Sequence, residues 1–131
     1  METIINEYEL TFIMRPDLSE DVHTRTIEKF NEVIERFGGS MFVSDSWGRL
    51  KLAYPIRKHN HGFYIYLNYV GPAEVPHELE RIIRLDDTII RFLTVKLDDE
   101  VLDVEGIREG SMSRHQAWVD RRSTVEPSMR R

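Results

Sequence analysis

Phe63-Tyr64-Ile65-Tyr66-Leu67-Asn68-Tyr69 is the stretch from which the fold is read. Every position except Asn68 is aromatic or a branched aliphatic, which is strand composition. If Phe63, Ile65, Leu67 and Tyr69 face a helical layer, strand geometry sends Tyr64 and Tyr66 to the opposite side of the sheet. Immediately upstream, residues 55–62 supply a turn, and residues 40–56 read as a long strand with a bulge or bend at Trp47-Gly48. Past that bend Leu50, Leu52 and Tyr54 share one side, while Arg49, Lys51 and Ala53 share the other.

Further out the period changes. Residues 8–14 alternate, with Tyr8, Leu10, Phe12 and Met14 on one side and Glu9, Thr11 and Ile13 on the other. Arg15-Pro16 breaks that strand, and Asp17 or Ser19 can cap a helix after it, with Glu20 completing a capping-box pattern. Val22, Ile27, Phe30, Val33, Ile34 and Phe37 then recur at helical spacing until Gly38-Gly39. Downstream, Gly71-Pro72 ends the central strand, and Pro76 sits in the first turn of a second helix striped by Val75, Leu79, Ile82 and Ile83. Asp86-Asp87 turns the chain into a last strand over 89–97. The order β-α-β-β-α-β over residues 6–97 predicts an α+β, ferredoxin-like two-layer sandwich: a four-stranded antiparallel sheet with two helices on one face.

Residues 1–97 form the predicted domain, and 98–131 read as a charged tail. Asp98, Asp99, Glu100, Asp103, Glu105 and Glu109 crowd its start, and Arg114, Arg121, Arg122, Arg130 and Arg131 come after them. Ile107, Met112, Trp118 and Val125 show no period, so the tail is expected to be mobile unless a partner orders it. A short helix over 113–122 fits the sequence.

The 131 residues suit one hydrophobic core. With no cysteine, disulfides and thiolate metal sites are excluded, and a reducing, cytoplasmic home fits. No apolar run reaches a membrane span, and the acidic N-terminus lacks the pattern of a signal peptide. The net charge of −5 argues against nucleic-acid binding if taken alone. Distribution qualifies it. Residues 46–73 contain no Asp or Glu, but hold Arg49, Lys51, Arg57 and Lys58 beside His59 and His61.

A ferredoxin-like fold decides no function by itself. His59-Asn60-His61 lacks the ligand count of a zinc site and reads as an exposed turn. Gly38-Gly39 lies at a helix end rather than opening one, so it is no phosphate loop. An acylphosphatase would need glycine N–H donors around Arg15, where Pro16 removes one. Neither a catalytic set nor a cofactor is expected. Arg49, Lys51, Arg57 and Lys58 form a short positive ridge suited to phosphate. Tyr64 and Tyr66 could stack bases, be covered by the tail or hairpin, or dock a protein; without an RNP-type motif the protein is the preferred cover.

Several stretches then combine. Tyr8-Glu9, Arg15-Pro16-Asp17-Leu18-Ser19-Glu20, Trp47-Gly48, Leu52-Ala53-Tyr54-Pro55-Ile56-Arg57-Lys58, Gly62-Phe63-Tyr64, Glu78-Leu79-Glu80-Arg81, Arg84-Leu85-Asp86-Asp87 and Ile90-Arg91-Phe92-Leu93 resemble, in order, the bacterial small-subunit ribosomal protein S-six family. The resemblance implies a non-enzymatic protein that binds the central domain of small-subunit ribosomal RNA as a heterodimer with ribosomal protein S-eighteen. A basic partner would supply charge that this acidic chain lacks. On this reading Arg49, Lys51, Arg57, Lys58, Arg91 and Lys96 contact RNA phosphate, and Tyr54, Pro55, Tyr64 and Tyr66 meet the partner. Leu50 departs from the family pattern by separating two basic residues that are commonly adjacent. The competing expectation is a ferredoxin-like small-molecule sensor that forms homodimers through its sheet.

Overall fold

Alternation along Asn6–Met14 (β1) decides the architecture, because both edges of that strand are paired. A computed structural model describes residues 3–123, with side chains as far as 121. Residues 124–131, including Val125, Arg130 and Arg131, lie outside the described residues, as do Met1 and Glu2. After β1 come α1 (Glu20–Arg36), β2 (Ser40–Ile56), β3 (His59–Gly71), α2 (Glu74–Arg84), β4 (Ile89–Asp98) and α3 (Val104–Ser123). The strands form one antiparallel sheet in the order β2-β3-β1-β4. This arrangement agrees with a ferredoxin-like α+β fold to which a third helix has been added.

The register assigns the faces. Leu10 lies opposite Leu67, and Phe12 opposite Ile65. These join Tyr8, Met14 and Tyr69 from the sheet with Phe30, Val33 and Ile34 from α1 and Val75, Leu79 and Ile83 from α2 in one buried cluster. Phe12 and Phe30 meet edge-on with ring centroids 5.2 Å apart, a favoured aromatic geometry. On the other face Thr11 pairs with Tyr66 and Ile13 with Tyr64. Tyr64 and Tyr66 thus project away from α1 and α2, as the alternation predicted.

Helix α1 starts differently from the capping-box expectation. Ser19 holds the N-cap position without a side-chain hydrogen bond; its carbonyl instead accepts from the N–H groups of Val22 and His23. At the other end Gly38 takes φ +86°. The Gly39 N–H reaches the Ile34 carbonyl at 2.8 Å and the Gly38 N–H the Glu35 carbonyl at 3.0 Å, the paired hydrogen bonds of a Schellman stop. In β2 the register slips between Ser46 and Gly48. Gly48 has φ +91°, so the Trp47-Gly48 bend is a bulge whose backbone favours glycine.

Two sequence expectations are corrected. The turn between β2 and β3 is not residues 55–62 but the pair Arg57-Lys58, closed by Ile56 opposite His59. The ladder is irregular before this tip, because residues 52–55 stand against Asn60 alone between the pairs Lys51–His61 and Ile56–His59. Secondly, the helix after β4 is longer than residues 113–122, since α3 spans Val104–Ser123. The Val101 N–H donates to the Ile5 carbonyl at 2.6 Å, and the Glu100 N–H to Asn6 Oδ1 at 3.0 Å, turning the chain back across the sheet. Asp103 Oδ1 then caps α3 by accepting the Gly106 N–H at 3.0 Å. Periodicity gave no sign of α3 because this helix is not amphipathic in the apolar sense; it is held by polar and aromatic groups.

Candidate RNA and partner-protein interface

The β2–β3 hairpin carries most of the candidate cations. Arg49 lies opposite Phe63 and Lys51 opposite His61, which points both to the helical side, and both are exposed. Leu50 lies opposite Gly62 and faces the other way. The residue that interrupts the basic pair thus adds nothing to that charged side. Arg57 and Lys58 occupy the tip with φ of +48° and +70°. Two successive left-handed residues in a two-residue connection make a type I′ turn, where Asn-Gly is the favoured pair. Holding non-glycine residues there costs about 1–2 kcal/mol each.

Register separates the two candidates on β4. Arg91 lies opposite Ile13, on the face away from α1 and α2. It donates through Nη1 to the Tyr54 hydroxyl at 3.0 Å, and its guanidinium sits 5.9 Å from the Tyr54 ring centroid. Tyr54 is 59% exposed, and Pro55 beside it is exposed as well. Lys96 lies opposite Tyr8 on the helical side, towards the sheet end remote from the hairpin tip, and pairs with Asp99 at 2.7 Å. That hydrogen bond, together with the carboxylate's charge, raises its pKa. Five of the six cations gather around the hairpin, and Lys96 stands apart. Arg84, which sequence reasoning passed over, borders the same shallow depression as Arg57 and Arg91.

The open face of the sheet is only partly open. Trp47 stacks nearly parallel to Tyr64 and Tyr66, with centroids 6.1 and 5.9 Å away. Two residues of α3 close over them: Trp118 lies 5.1 Å from the Trp47 ring, and His115 stacks 5.3 Å from Tyr66. Asp45 accepts from Trp47 Nε1 at 3.1 Å and lies 3.1 Å from His115 Nε2. Below them Glu7, only 2% exposed, accepts from Asn68 Nδ2 at 2.9 Å and from the Ser111 hydroxyl, with Arg114 at 3.5 Å. Tyr66 donates its hydroxyl to Glu9 at 2.6 Å. Burial first, and that bond second, raise its pKa strongly. Burial also raises that of Tyr64, which Arg91 opposes.

The sequence candidates for the partner surface are therefore divided. Tyr54 and Pro55 are exposed on the hairpin, Tyr64 is half-buried between Trp47 and the Ile13–Leu52–Ile90 cluster, and Tyr66 lies beneath α3. Sequence reasoning missed Glu7, Trp47, Arg114, His115 and Trp118 as site residues. A signal existed for the helix, because Ser111, Arg114, His115 and Trp118 fall at i, i+3, i+4 and i+7, one face of a helix. It is a polar and aromatic face, which an apolar-stripe search passes over. Between α3 and the sheet a cleft of about 470 Å³ remains. Among the described residues no group of three or more His, Cys, Asp or Glu could hold a metal ion, and no helix is long and apolar enough to cross a membrane.

A profile of the family described as "Ribosomal protein S6" matches residues 7–96. The chain belongs to this family. It is a ribosomal protein family and not a family of enzymes. A relative from Clostridium novyi, the small ribosomal subunit protein bS6, is 46% identical over 91 residues, covering 70% of this chain and 96% of the relative. The protein of the same description from Nitratidesulfovibrio vulgaris is 41% identical over 100 residues, covering 76% and 99%. Among solved structures, the 30S ribosomal protein S6 of Thermotoga maritima aligns with TM-score 0.66 at 27% identity, covering 82% of this chain and 98% of that one. The family match ends before α3, so the helix that covers Tyr66 lies outside the matched segment.

Proposed function

We propose that this chain is a structural component of the small ribosomal subunit, in the cytoplasm, and binds the central domain of small-subunit ribosomal RNA together with ribosomal protein S-eighteen. The observation that carries the RNA part is the Arg57-Lys58 turn. A tip built for stability would hold Asn-Gly; this one keeps two cations in left-handed backbone, φ +48° and +70°. Backbone held in an unfavourable region against a cheaper alternative points to function. Arg49 and Lys51 extend the same ridge along β2, and Arg91 reaches it through Tyr54. Lys96, tied to Asp99 at the other end, has the weaker claim.

The acidic total sets the need for a partner. A protein of net charge −5 releases few counterions on its own, so a basic second protein has to supply much of the electrostatics. Tyr54, Pro55 and Tyr64 beside the hairpin are the surface offered to it, with the exposed Tyr54 ring as anchor. The test is binding to a central-domain RNA fragment by this chain alone, by the S-eighteen protein alone, and by both. Tight binding is expected only with both. Arg57→Glu combined with Lys58→Glu is expected to weaken the pair's RNA affinity at least tenfold and to flatten its dependence on salt. An affinity and salt slope unchanged by the double substitution would remove the turn from the interface.

A further inference from the structure

Asn68, 1% exposed, borders the cleft under α3, and its amide oxygen is buried beneath the cleft surface without a hydrogen-bond partner among the described residues. Its Nδ2 is fully used, donating to Glu7 and to the Tyr8 carbonyl. The walls of the cleft are aromatic: Trp47, Tyr66, His115 and Trp118. Glu9 also lines it, accepting from the Tyr66 hydroxyl, and no ion pair reaches this carboxylate among the described residues. Arg114, the one strong cation lining the cleft, is already paired with Glu7. Alongside runs an exposed apolar stripe on β4, Leu93, Val95 and Leu97, of which Leu97 also lines the cleft.

We infer that the cleft between α3 and the sheet receives an arginine side chain of the basic protein partner, with its guanidinium against the aromatic lining and donating to Glu9. Three features select that group together. Aromatic faces attract a cation. A carboxylate hydrogen-bonded to a neutral hydroxyl and in no ion pair among the described residues calls for N–H donors, and guanidinium offers several in one plane. The β4 stripe gives the residues flanking that arginine an apolar floor. A phosphate-bearing nucleotide fits less well, since Glu7 and Glu9 both lie on this side of the sheet. The inference rests on the proposed partner-binding role and deepens it. In it α3 is one wall of the docking site rather than a cover the partner must remove.

Both tryptophans of the chain line the cleft, so intrinsic fluorescence reports occupancy directly. The full chain would be titrated with an acetylated, amidated tripeptide of leucine, arginine and leucine, with the same peptide carrying citrulline, and with adenosine monophosphate. Saturable quenching by the arginine peptide is expected, with citrulline at least tenfold weaker. Glu9→Gln keeps an acceptor for Tyr66 and should weaken the arginine peptide about tenfold, the difference between a charge-assisted and a neutral hydrogen bond. Equal response to arginine and citrulline would overturn the inference, as would quenching by the nucleotide alone. Binding of the S-eighteen protein separates the two levels. If Glu9→Gln pairs with it at full strength and the peptide does not bind, the cleft assignment falls while the heterodimer stands. If the peptide binds as expected and no heterodimer forms, the cleft stands and the ribosomal partner is the part that fails.

Discussion

The two faces of the sheet are covered by different physics. Against α1 and α2 the sheet presents Leu10, Phe12, Met14, Ile65, Leu67 and Tyr69, all with 0% exposure, and the contact is a close-packed apolar core. Against α3 it presents Glu7, Glu9, Trp47, Tyr66 and Asn68, and the contact is a set of stacked rings above a buried carboxylate. The first face is non-directional, so any helix with the right stripe fits it. The second depends on particular partners, and one missing group leaves a buried polar atom unpaired. The apolar face makes the domain stable. The polar one leaves a cleft lined by the Glu9 carboxylate and an apolar edge, features that suit a docking surface.

Substitutions should separate the faces by size of effect. Phe12→Ala, deep in the apolar layer, is expected to lower unfolding free energy by about 3–5 kcal/mol, measured by urea denaturation. A loss below about 1 kcal/mol would mean that this layer is not the main source of stability. Trp118→Ala should cost about 1–2 kcal/mol and leave the apolar layer intact, with fluorescence of the remaining Trp47 becoming accessible to iodide. Trp47 staying shielded would show that α3 does not depend on the ring contact. The hairpin extends the comparison to a region neither layer covers. Lys58→Gly should relieve the left-handed strain and raise stability by about 0.5–1 kcal/mol in urea, while weakening RNA binding by the protein pair. A destabilised variant would contradict strain at the tip.

The smallest effect concerns acid. His23 in α1 stacks on Phe63 at 3.7 Å, and neither ring nitrogen has a hydrogen-bond partner among the described residues. Burial lowers its pKa below the usual 6.5, with Glu20 opposing. The unfolded chain therefore takes up this proton more readily than the folded one. Stability should be flat above the ordinary histidine range and fall as pH drops below about 6.5. Urea midpoints at about pH 7.5 and about pH 5.5 measure the loss, and His23→Leu should remove its share. A variant whose midpoint falls as far as that of the parent would assign the acid sensitivity elsewhere.

How much could be read in advance differs in the same way between faces. The alternation in 8–14 and the stripe through Val22, Phe30, Val33 and Ile34 specify the apolar layer, because burial repeats with the period of the element that buries. The turn was drawn too wide because Pro55 and His59-Asn60-His61 look like loop chemistry, while the pairing of Ile56 with His59 is a matter of register. Among the site residues, clustering of Arg49, Lys51, Arg57 and Lys58 is visible in one dimension. The contact of Arg91 with Tyr54, 37 positions away, is not. Nor is the separation of Lys96, since a shift of one residue in register would have reversed its face.

By itself, then, the sequence determined the strands and helices of the first 97 residues, the side of the sheet that carries Tyr64 and Tyr66, the basic hairpin in an acidic chain, and the family resemblance. These are local or periodic properties, carried by neighbours along the chain. Only the tertiary structure decided that residues 104–123 form a helix across the second face, that Ser111 and Arg114 meet Glu7 more than 100 positions away, and that Asn68 is left with an unmatched acceptor. Those contacts are polar, directional and distant in sequence. Their energy exists only once both partners are in place, so neither segment shows it alone.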